Sequence, residues 1–182
     1  LAELLETCVR PTLAELAARG TPFVGTLFAG LMLTDGGPRV LEFNCRFGDP
    51  ETQSVLPLVE GDLVEALAAA ASGSLAGASL GRAEGSAVTV VIAAGGYPAA
   101  GDTGTPIEGI DKAEADGAQV FQAGTALSNG RLVTNGGRLL AVTARGADVA
   151  NARARAYAAA DRILIPGARR REDIALEAAE GR

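Results

Sequence analysis

Residues 41–47 place a carboxylate, an amide and a guanidinium group at alternate positions of a predicted strand. Side chains alternate between the two faces of a strand, so Glu42, Asn44 and Arg46 are predicted to share one face. A carboxylate beside an amide oxygen offers the hard oxygen ligands that Mg²⁺ prefers, and the planar fork of Arg46 suits a phosphate or a carboxylate. The strand therefore predicts a metal and phosphate site, although an ordinary surface strand shows the same alternation.

The residues around this face predict its structural setting. The opposite face is apolar and carries Cys45, for which a buried, unreactive thiol is predicted. Directly afterwards, Asp49-Pro50-Glu51 is typical of a helix start, with Asp49 as the N-cap and Pro50 at the first helical position. Capping alone accounts for Asp49 as well as a role in the site does, and it accounts for Glu51 better.

Composition excludes several kinds of active site. The chain has 182 residues, a formal charge of -6 and no histidine. Without histidine, no Ser-His or Cys-His nucleophile can be assembled, and a zinc site would lack its usual nitrogen ligand. The negative charge argues against nucleic acid as a partner. What remains is carboxylate, amide and guanidinium chemistry, which is the repertoire of metal-assisted phosphoryl transfer.

Cysteine usage and hydropathy bear on the compartment. Two cysteines in a chain of this length do not make a disulfide framework, and no apolar run nears the length of a membrane span. The first residues lack the basic region of a signal peptide. We expect a cytoplasmic protein without a membrane partner.

The first part of the chain predicts a helix, a hairpin and a second helix. Helical spacing runs from Leu1 to about Arg19, with an interruption at Pro11. Residues 23–33 predict a strand buried on both faces, which returns as the strand at 40–47. A second capping box, formed by Asp62 and Glu65, opens the next helix.

Residues 72–86 are rich in Gly, Ala and Ser and predict a connector between domains. Beyond it, strands are predicted at 87–94, 120–121, 131–134 and 138–143. Asn135-Gly136-Gly137 predicts the hairpin turn that joins the last two. Residues 148–164 predict an Ala-rich helix that Pro166-Gly167 ends, and Arg169-Arg170-Arg171 is interpreted as the solvated start of a short helix reaching residue 179.

The motif around Glu42 resembles a sequence of one ligase family. Glu-x-Asn-x-Arg-Phe-Gly-Asp-Pro-Glu-Thr-Gln at 42–53, after Gly-Thr-Leu-Phe-Ala-Gly-Leu-Met at 25–32, resembles the end of the ATP-grasp domain of phosphoribosylamine-glycine ligases. Further stretches follow in the family's order, at 10–12, 93–98, 120–125, 133–138 and 171–174. Glu-x-Asn is shared by many ATP-grasp ligases, whereas Asn-x-Arg-Phe-Gly-Asp-Pro-Glu joined to Ala-Gly-Gly-Tyr-Pro is specific to this family.

The resemblance implies an α+β fold in two parts. Residues 1–80 would be the C-terminal portion of an ATP-grasp domain, and residues 81–182 a small mixed, mainly antiparallel β domain with helices. The family joins glycine to 5-phosphoribosylamine in purine biosynthesis through a glycyl phosphate, and ATP becomes ADP and phosphate. By the matched motif, Glu42 and Asn44 are ligands of Mg²⁺ or Mn²⁺, Arg46 binds phosphate or the glycine carboxylate, and Asp49 orders the site or the incoming amine.

The resemblance also implies partners and leaves alternatives. The expected partners are ATP, glycine and 5-phosphoribosylamine, with the missing N-terminal part of the same polypeptide, and the fragment alone is expected to be inactive. The strand at 29–33 lacks the acid that many ATP-grasp enzymes place there, and residues 99–103 and Gln122 depart from many members. Residues 99–125 therefore receive no substrate role. The alternatives are another ATP-grasp carbon-nitrogen ligase or carboxylase, or a non-catalytic truncated module.

Overall fold

The computed structural model describes residues 1–181, and the chain divides into two compact units. Unit 1 comprises residues 1–48 and 60–81, and unit 2 comprises residues 49–59 and the chain from residue 82 onward. Helices and antiparallel sheets occur together, which confirms the predicted α+β class. The domain boundary after residue 80 stays a prediction. Within the described residues, no helix is both long and apolar enough to cross a membrane.

Unit 1 opens with a helical segment built of three parts. These are α1 (Ala2–Leu4), a π-helical turn (Leu5–Val9) and α2 (Arg10–Ala18). Pro11 lies in the first turn of α2 and has no N–H to donate to the preceding turn. The predicted interruption of the helix is therefore observed as a wider π turn just before Pro11.

The hairpin of unit 1 consists of β1 (Phe28–Thr34) and β2 (Gly37–Asn44), which pair antiparallel. Both strands are displaced from their predicted bounds of 23–33 and 40–47. Asp35 and Gly36 form the tight turn between the strands. The second strand begins at Gly37, earlier than predicted, and Gly37 has a φ of +90°, which glycine adopts without strain. Met32 and Leu33 are adjacent residues of β1 and both are exposed, so the prediction that this strand is buried on both faces is wrong.

The last helix of unit 1 is α4 (Leu63–Ala71). The Asp62 carboxylate accepts a hydrogen bond from the Glu65 backbone N–H at 2.8 Å, as the predicted capping box requires. At the other end, Gly73 adopts a φ of +81°, a left-handed conformation that commonly ends helices. Two short strands, β3 (Val59–Glu60) and β4 (Gly81–Arg82), lie at the unit boundaries along the chain.

Unit 2 is built on two three-stranded antiparallel sheets. The first has the order β5 (Ser86–Ala93), β10 (Arg138–Gly146), β7 (Gln119–Gln122). The second has the order β6 (Asp102–Pro106), β9 (Arg131–Gly136), β8 (Thr125–Ser128). The helices of this unit are α3 (Glu51–Val55), continued by a 3-10 turn (Leu56–Leu58), α5 (Ile110–Ala115), α6 (Val149–Ala160) and α7 (Leu176–Ala179).

The predicted hairpin at Asn135-Gly136-Gly137 is wrong, because β9 and β10 belong to different sheets. The chain crosses from one sheet to the other at Gly137. The tight hairpin instead joins β8 to β9 through Asn129 and Gly130, whose φ angles are +49° and +76°. Two successive positive φ angles define the turn that matches the strand twist, and Asn-Gly adopts it readily.

Helix α6 packs against β5 and β10 to form the core of unit 2. Its buried face consists of alanines, whose small side chains let the helix approach the sheet closely: Ala152, Ala156, Ala159 and Ala160. Asp148 caps its start by accepting a hydrogen bond from the Asn151 N–H at 2.7 Å.

The helix α6 ends at Ala160, earlier than predicted, because Ile163 turns into the core and Leu164 pairs with Glu108 through the backbone. The following arginines do not start a helix, since α7 begins only at Leu176. Arg170 is half-buried, pairs with Asp161 at 2.6 Å and lies over the Tyr157 ring. The interpretation of residues 169–171 as a helix start is therefore wrong, and their solvation is confirmed for Arg169 and Arg171 but not for Arg170.

Candidate functional site

The predicted metal pair lies at the end of β2 in unit 1. The Asn44 amide nitrogen Nδ2 donates a hydrogen bond to Glu42 Oε1 at 2.8 Å, so the two side chains share a face of the strand as predicted. This orientation leaves the second carboxylate oxygen and the amide oxygen as acceptors. Glu42 is exposed and Asn44 is half-buried. A carboxylate and an amide oxygen on one accessible face are a donor set that fits Mg²⁺ or Mn²⁺.

The opposing strand leaves space for Glu42 but adds no ligand to it. Gly30 is the cross-strand partner of Glu42, and a Cβ built at Gly30 would lie 3.2 Å from Glu42 Cγ. Throughout the described residues, no group of three or more cysteine, aspartate or glutamate side chains could hold a metal ion. A cation at Glu42 and Asn44 would complete its shell with water or phosphate oxygens, as Mg²⁺ commonly does.

β2 ends at Asn44 and the chain bends at residues 45 and 46, so Arg46 lies outside the strand that carries Glu42 and Asn44. The predicted strand end at residue 47 is therefore wrong. The Arg46 guanidinium nitrogen Nη1 donates to the Phe47 carbonyl at 2.8 Å and is exposed, with further N–H donors available to an anion. Cys45 is exposed as well, so the prediction of a buried thiol is also wrong.

Asp49 belongs to a second polar group, within unit 2. Helix α3 starts at Glu51 with Pro50 as its N-cap and without a side-chain cap, so the predicted capping by Asp49 is wrong. The Asp49 carboxylate instead accepts hydrogen bonds on both oxygens. Gln53 Nε2 donates to Oδ1 at 3.1 Å, and Arg138 Nη2 donates to Oδ2 at 2.6 Å.

A cavity of 210 Å³ lies beside this group within unit 2. Its polar wall includes Asp49, Gln53, Gln122 and Arg138, and apolar side chains of β5, β7 and β10 complete it. The Gln53 oxygen Oε1 is buried and has no hydrogen-bond partner among the described residues. Cavities for drug-sized ligands start at about 300 Å³. This cavity is smaller than that.

Two residues of the second group, Gln53 and Arg138, were not predicted as site residues. The spacing of Gln53 four residues after Asp49 is a signal that was available, because residues four apart meet on a helix. Arg138 ends the stretch 133–138, whose resemblance to the ligase family is a second signal. No local pattern pairs Arg138 with Asp49, which is 89 residues away.

Comparison with known families covers the residues of both groups except Gln53. The profile of the phosphoribosylglycinamide synthetase C domain matches residues 87–177, and that of the ATP-grasp (A) domain matches residues 1–52. The chain belongs to the phosphoribosylglycinamide synthetase family. Both halves of the resemblance inferred from the sequence are thereby confirmed. The segment that matches the ATP-grasp domain includes Glu42, Asn44 and Asp49, and the segment that matches the C domain includes Arg138.

Individual relatives agree with this membership of the synthetase family. The phosphoribosylamine–glycine ligase of Mesorhizobium japonicum is 48% identical over 97% of this chain and 42% of its own length. The trifunctional purine biosynthetic protein adenosine-3 of Gallus gallus is 45% identical over 98% of this chain and 18% of its own length. A crystal structure of the Thermotoga maritima phosphoribosylamine–glycine ligase superposes with a TM-score of 0.77 at 36% identity, covering 95% of this chain and 42% of that one. The chain thus spans less than half the length of these relatives.

Proposed function

We propose that the chain forms part of an ATP-dependent ligase that joins glycine to 5-phosphoribosylamine. The products are glycinamide ribonucleotide, ADP and phosphate, and a glycyl phosphate is the intermediate. The observation that carries the proposal is the pairing of Glu42 and Asn44, in which Asn44 Nδ2 donates to Glu42 Oε1 at 2.8 Å, within the segment that matches the ATP-grasp domain. The names of the relatives, phosphoribosylamine–glycine ligase, support the choice of substrates.

In this proposal Glu42 and Asn44 hold a divalent cation, Mg²⁺ or Mn²⁺. When bound, the cation would neutralise charge on the phosphates of ATP. Arg46 binds a phosphate or the glycine carboxylate through its exposed guanidinium group, and Asp49 orders the site or the incoming amine. Each group positions a reactant or balances charge, and none forms a covalent bond to substrate, as is usual in phosphoryl transfer.

The test is a chimera in which this chain replaces the segment that it matches in the Mesorhizobium japonicum relative. The Glu42→Gln variant keeps the shape of the side chain and removes the ligand charge. We expect it to fold normally and to lose roughly a hundredfold in kcat/KM at limiting Mg²⁺, since losing contact to a charged ligand costs about 1.5–3 kcal/mol. Raised Mg²⁺ should restore part of the activity.

The matched control is Glu3→Gln, which neutralises an exposed carboxylate on the first helix and should leave the kinetics unchanged. Mn²⁺ binding followed by electron paramagnetic resonance gives a readout that does not depend on turnover. Wild-type Mn²⁺ affinity in Glu42→Gln would refute the metal role. A folded chimera that forms no glycinamide ribonucleotide would refute the choice of substrates.

A further inference from the structure

We propose that Arg138 is a positioning residue that fixes the carboxylate of Asp49. The proposal rests on the function proposed above, which places Asp49 in the ligase site. Arg138 comes from the C-domain segment, at the first position of β10. It would act on the reaction through Asp49 and without touching the reacting atoms.

The first argument is the geometry of the contact. Arg138 Nη2 donates to the Asp49 carboxylate at 2.6 Å, while Nη1 of the same guanidinium donates to the Asp49 backbone carbonyl at 3.1 Å. Gln53 holds the other carboxylate oxygen at 3.1 Å. The planar fork of arginine therefore fixes the side chain and the main chain of Asp49 together, which a lysine ammonium cannot do in the same way.

The second argument is that the backbone of Arg138 is itself held in place. The Arg138 carbonyl accepts a hydrogen bond from the Gly124 N–H at 2.8 Å, and a Cβ at Gly124 would lie 2.7 Å from that carbonyl oxygen. On the preceding residue, Gly137, a Cβ would lie 2.7 Å from the Tyr97 ring. The following residue, Leu139, is fully buried. Arg138 thus extends from backbone that close packing fixes, as a preorganised site requires.

The third argument concerns what the ion pair supplies. The side chains of Arg138 and Asp49 are 39% and 45% exposed, and ion pairs this exposed stabilise folded proteins little. The three hydrogen bonds to Asp49 therefore act mainly by fixing the orientation of its carboxylate, and less by stabilising the fold. Both side chains line the 210 Å³ cavity, so the fixed carboxylate lies at the wall of a space of small-substrate size.

The test uses Arg138→Met and Arg138→Lys in the chimera described above. Removal of both donors in Arg138→Met should lower kcat/KM about ten- to a hundredfold, the range for lost charge-assisted hydrogen bonds. Arg138→Lys, which keeps the charge but not the fork, should recover only part of that loss. The control is Arg162→Met, which breaks the exposed Arg162–Asp116 pair (3.2 Å) elsewhere in unit 2 and should not change kcat/KM.

A double-mutant cycle separates positioning from other roles. In an Asp49→Asn background, Arg138→Met should lower kcat/KM by less than about threefold, because the carboxylate that Arg138 positions is already absent. A loss of kcat/KM in that background as large as the loss in the single Arg138→Met variant would overturn the proposal. Wild-type kinetics in Arg138→Met alone would overturn it as well. Hydrogen exchange of the Glu51–Val55 amides in the 182-residue chain gives a readout without turnover: Arg138→Met should accelerate it and Arg162→Met should not.

The two proposals fail in different ways. An inactive chimera whose exchange still responds to Arg138→Met refutes the ligase assignment and keeps the contact to Asp49. An active chimera in which neither exchange nor kinetics responds to Arg138→Met refutes the positioning role alone.

Discussion

The two units of the chain differ in how their side chains are buried. Unit 2 contains two hydrophobic clusters, with Leu139, Val90 and Val142 completely shielded from solvent. In unit 1, Cys8 and Ala66 are the buried apolar residues among those described, whereas Leu33 is 72% exposed. We infer that the folding free energy of the chain comes mainly from unit 2, since buried apolar area is the main source of stability.

The same contrast separates the two polar groups. Glu42 and Asn44 meet because they are two residues apart on one strand, and strand geometry alone brings them together. Asp49 and Arg138 meet only because unit 2 folds, since 89 residues separate them. The metal pair is therefore local in origin, and the ion pair at the cavity depends on a folded core.

The largest expected effect compares the same substitution in the two units. Leu139→Ala should lower the free energy of unfolding by about 2–5 kcal/mol, because it removes a completely buried side chain and leaves a cavity. Leu33→Ala should change it by less than about 0.5 kcal/mol. Urea unfolding of both variants, followed by circular dichroism, measures the difference. Equal costs would contradict the assignment of stability to unit 2.

A smaller loss of stability is expected when a buried hydroxyl group is removed. In unit 2, Thr89 Oγ1 lies 2.6 Å from Ser54 Oγ and 2.7 Å from Thr143 Oγ1, and Thr89 is buried. Thr89→Val should lower the free energy of unfolding by about 1–3 kcal/mol, because it leaves the buried Thr143 hydroxyl and the half-buried Ser54 hydroxyl each short of a partner.

The matched substitution in unit 1 is Thr34→Val, which removes an exposed hydroxyl that donates to the Gly37 carbonyl at 2.7 Å. Water can replace that hydrogen bond, so the cost should stay under about 0.5–1 kcal/mol. Chemical unfolding with the same probe compares the two variants. If Thr34→Val lowers the free energy of unfolding as much as Thr89→Val does, burial does not determine how much these hydrogen bonds stabilise the protein.

The sequence predicted the features that depend on near neighbours. The Asp62–Glu65 cap, the strand at 87–94 and the shared face of Glu42 and Asn44 each follow from residues a few positions apart, and the structure confirms them. The family resemblance added the fold class, which no spacing in the chain could have given.

The failures share a dependence on distant contacts. Asn135-Gly136-Gly137 has the composition of a hairpin turn, but β10 pairs with β5 and β7, and the chain changes sheets there. Asp49 has the position of a helix cap, but Arg138 takes its carboxylate. Arg170 lies in a basic run, but Asp161 and Glu172 partner it against Tyr157. In each case a tertiary partner overrides a local preference.

The smallest expected effect is a pH dependence in unit 2, carried by Asp102. The Thr134 hydroxyl donates to Asp102 Oδ2 at 2.6 Å, and this hydrogen bond, followed by that of Thr105, lowers the pKa of Asp102. The folded protein therefore binds this proton less readily than the unfolded chain does. The resulting stabilisation is present above the unfolded pKa of about 3.9 and is lost as the pH falls through the lower folded pKa.

We therefore expect Asp102→Asn to make the urea midpoint decline less steeply below about pH 4 than it does in the wild type. Thr134→Val should lessen the same decline by removing the donor, although it also lowers the midpoint at neutral pH, because the Thr134 hydroxyl is buried and accepts from the Thr105 N–H at 3.0 Å. Midpoints measured at neutral pH and through the acid range separate the two effects. An acid decline of wild-type steepness in both variants would show that other carboxylates cause it, and the hydrogen bond from Thr134 would then contribute to stability without a measurable dependence on pH.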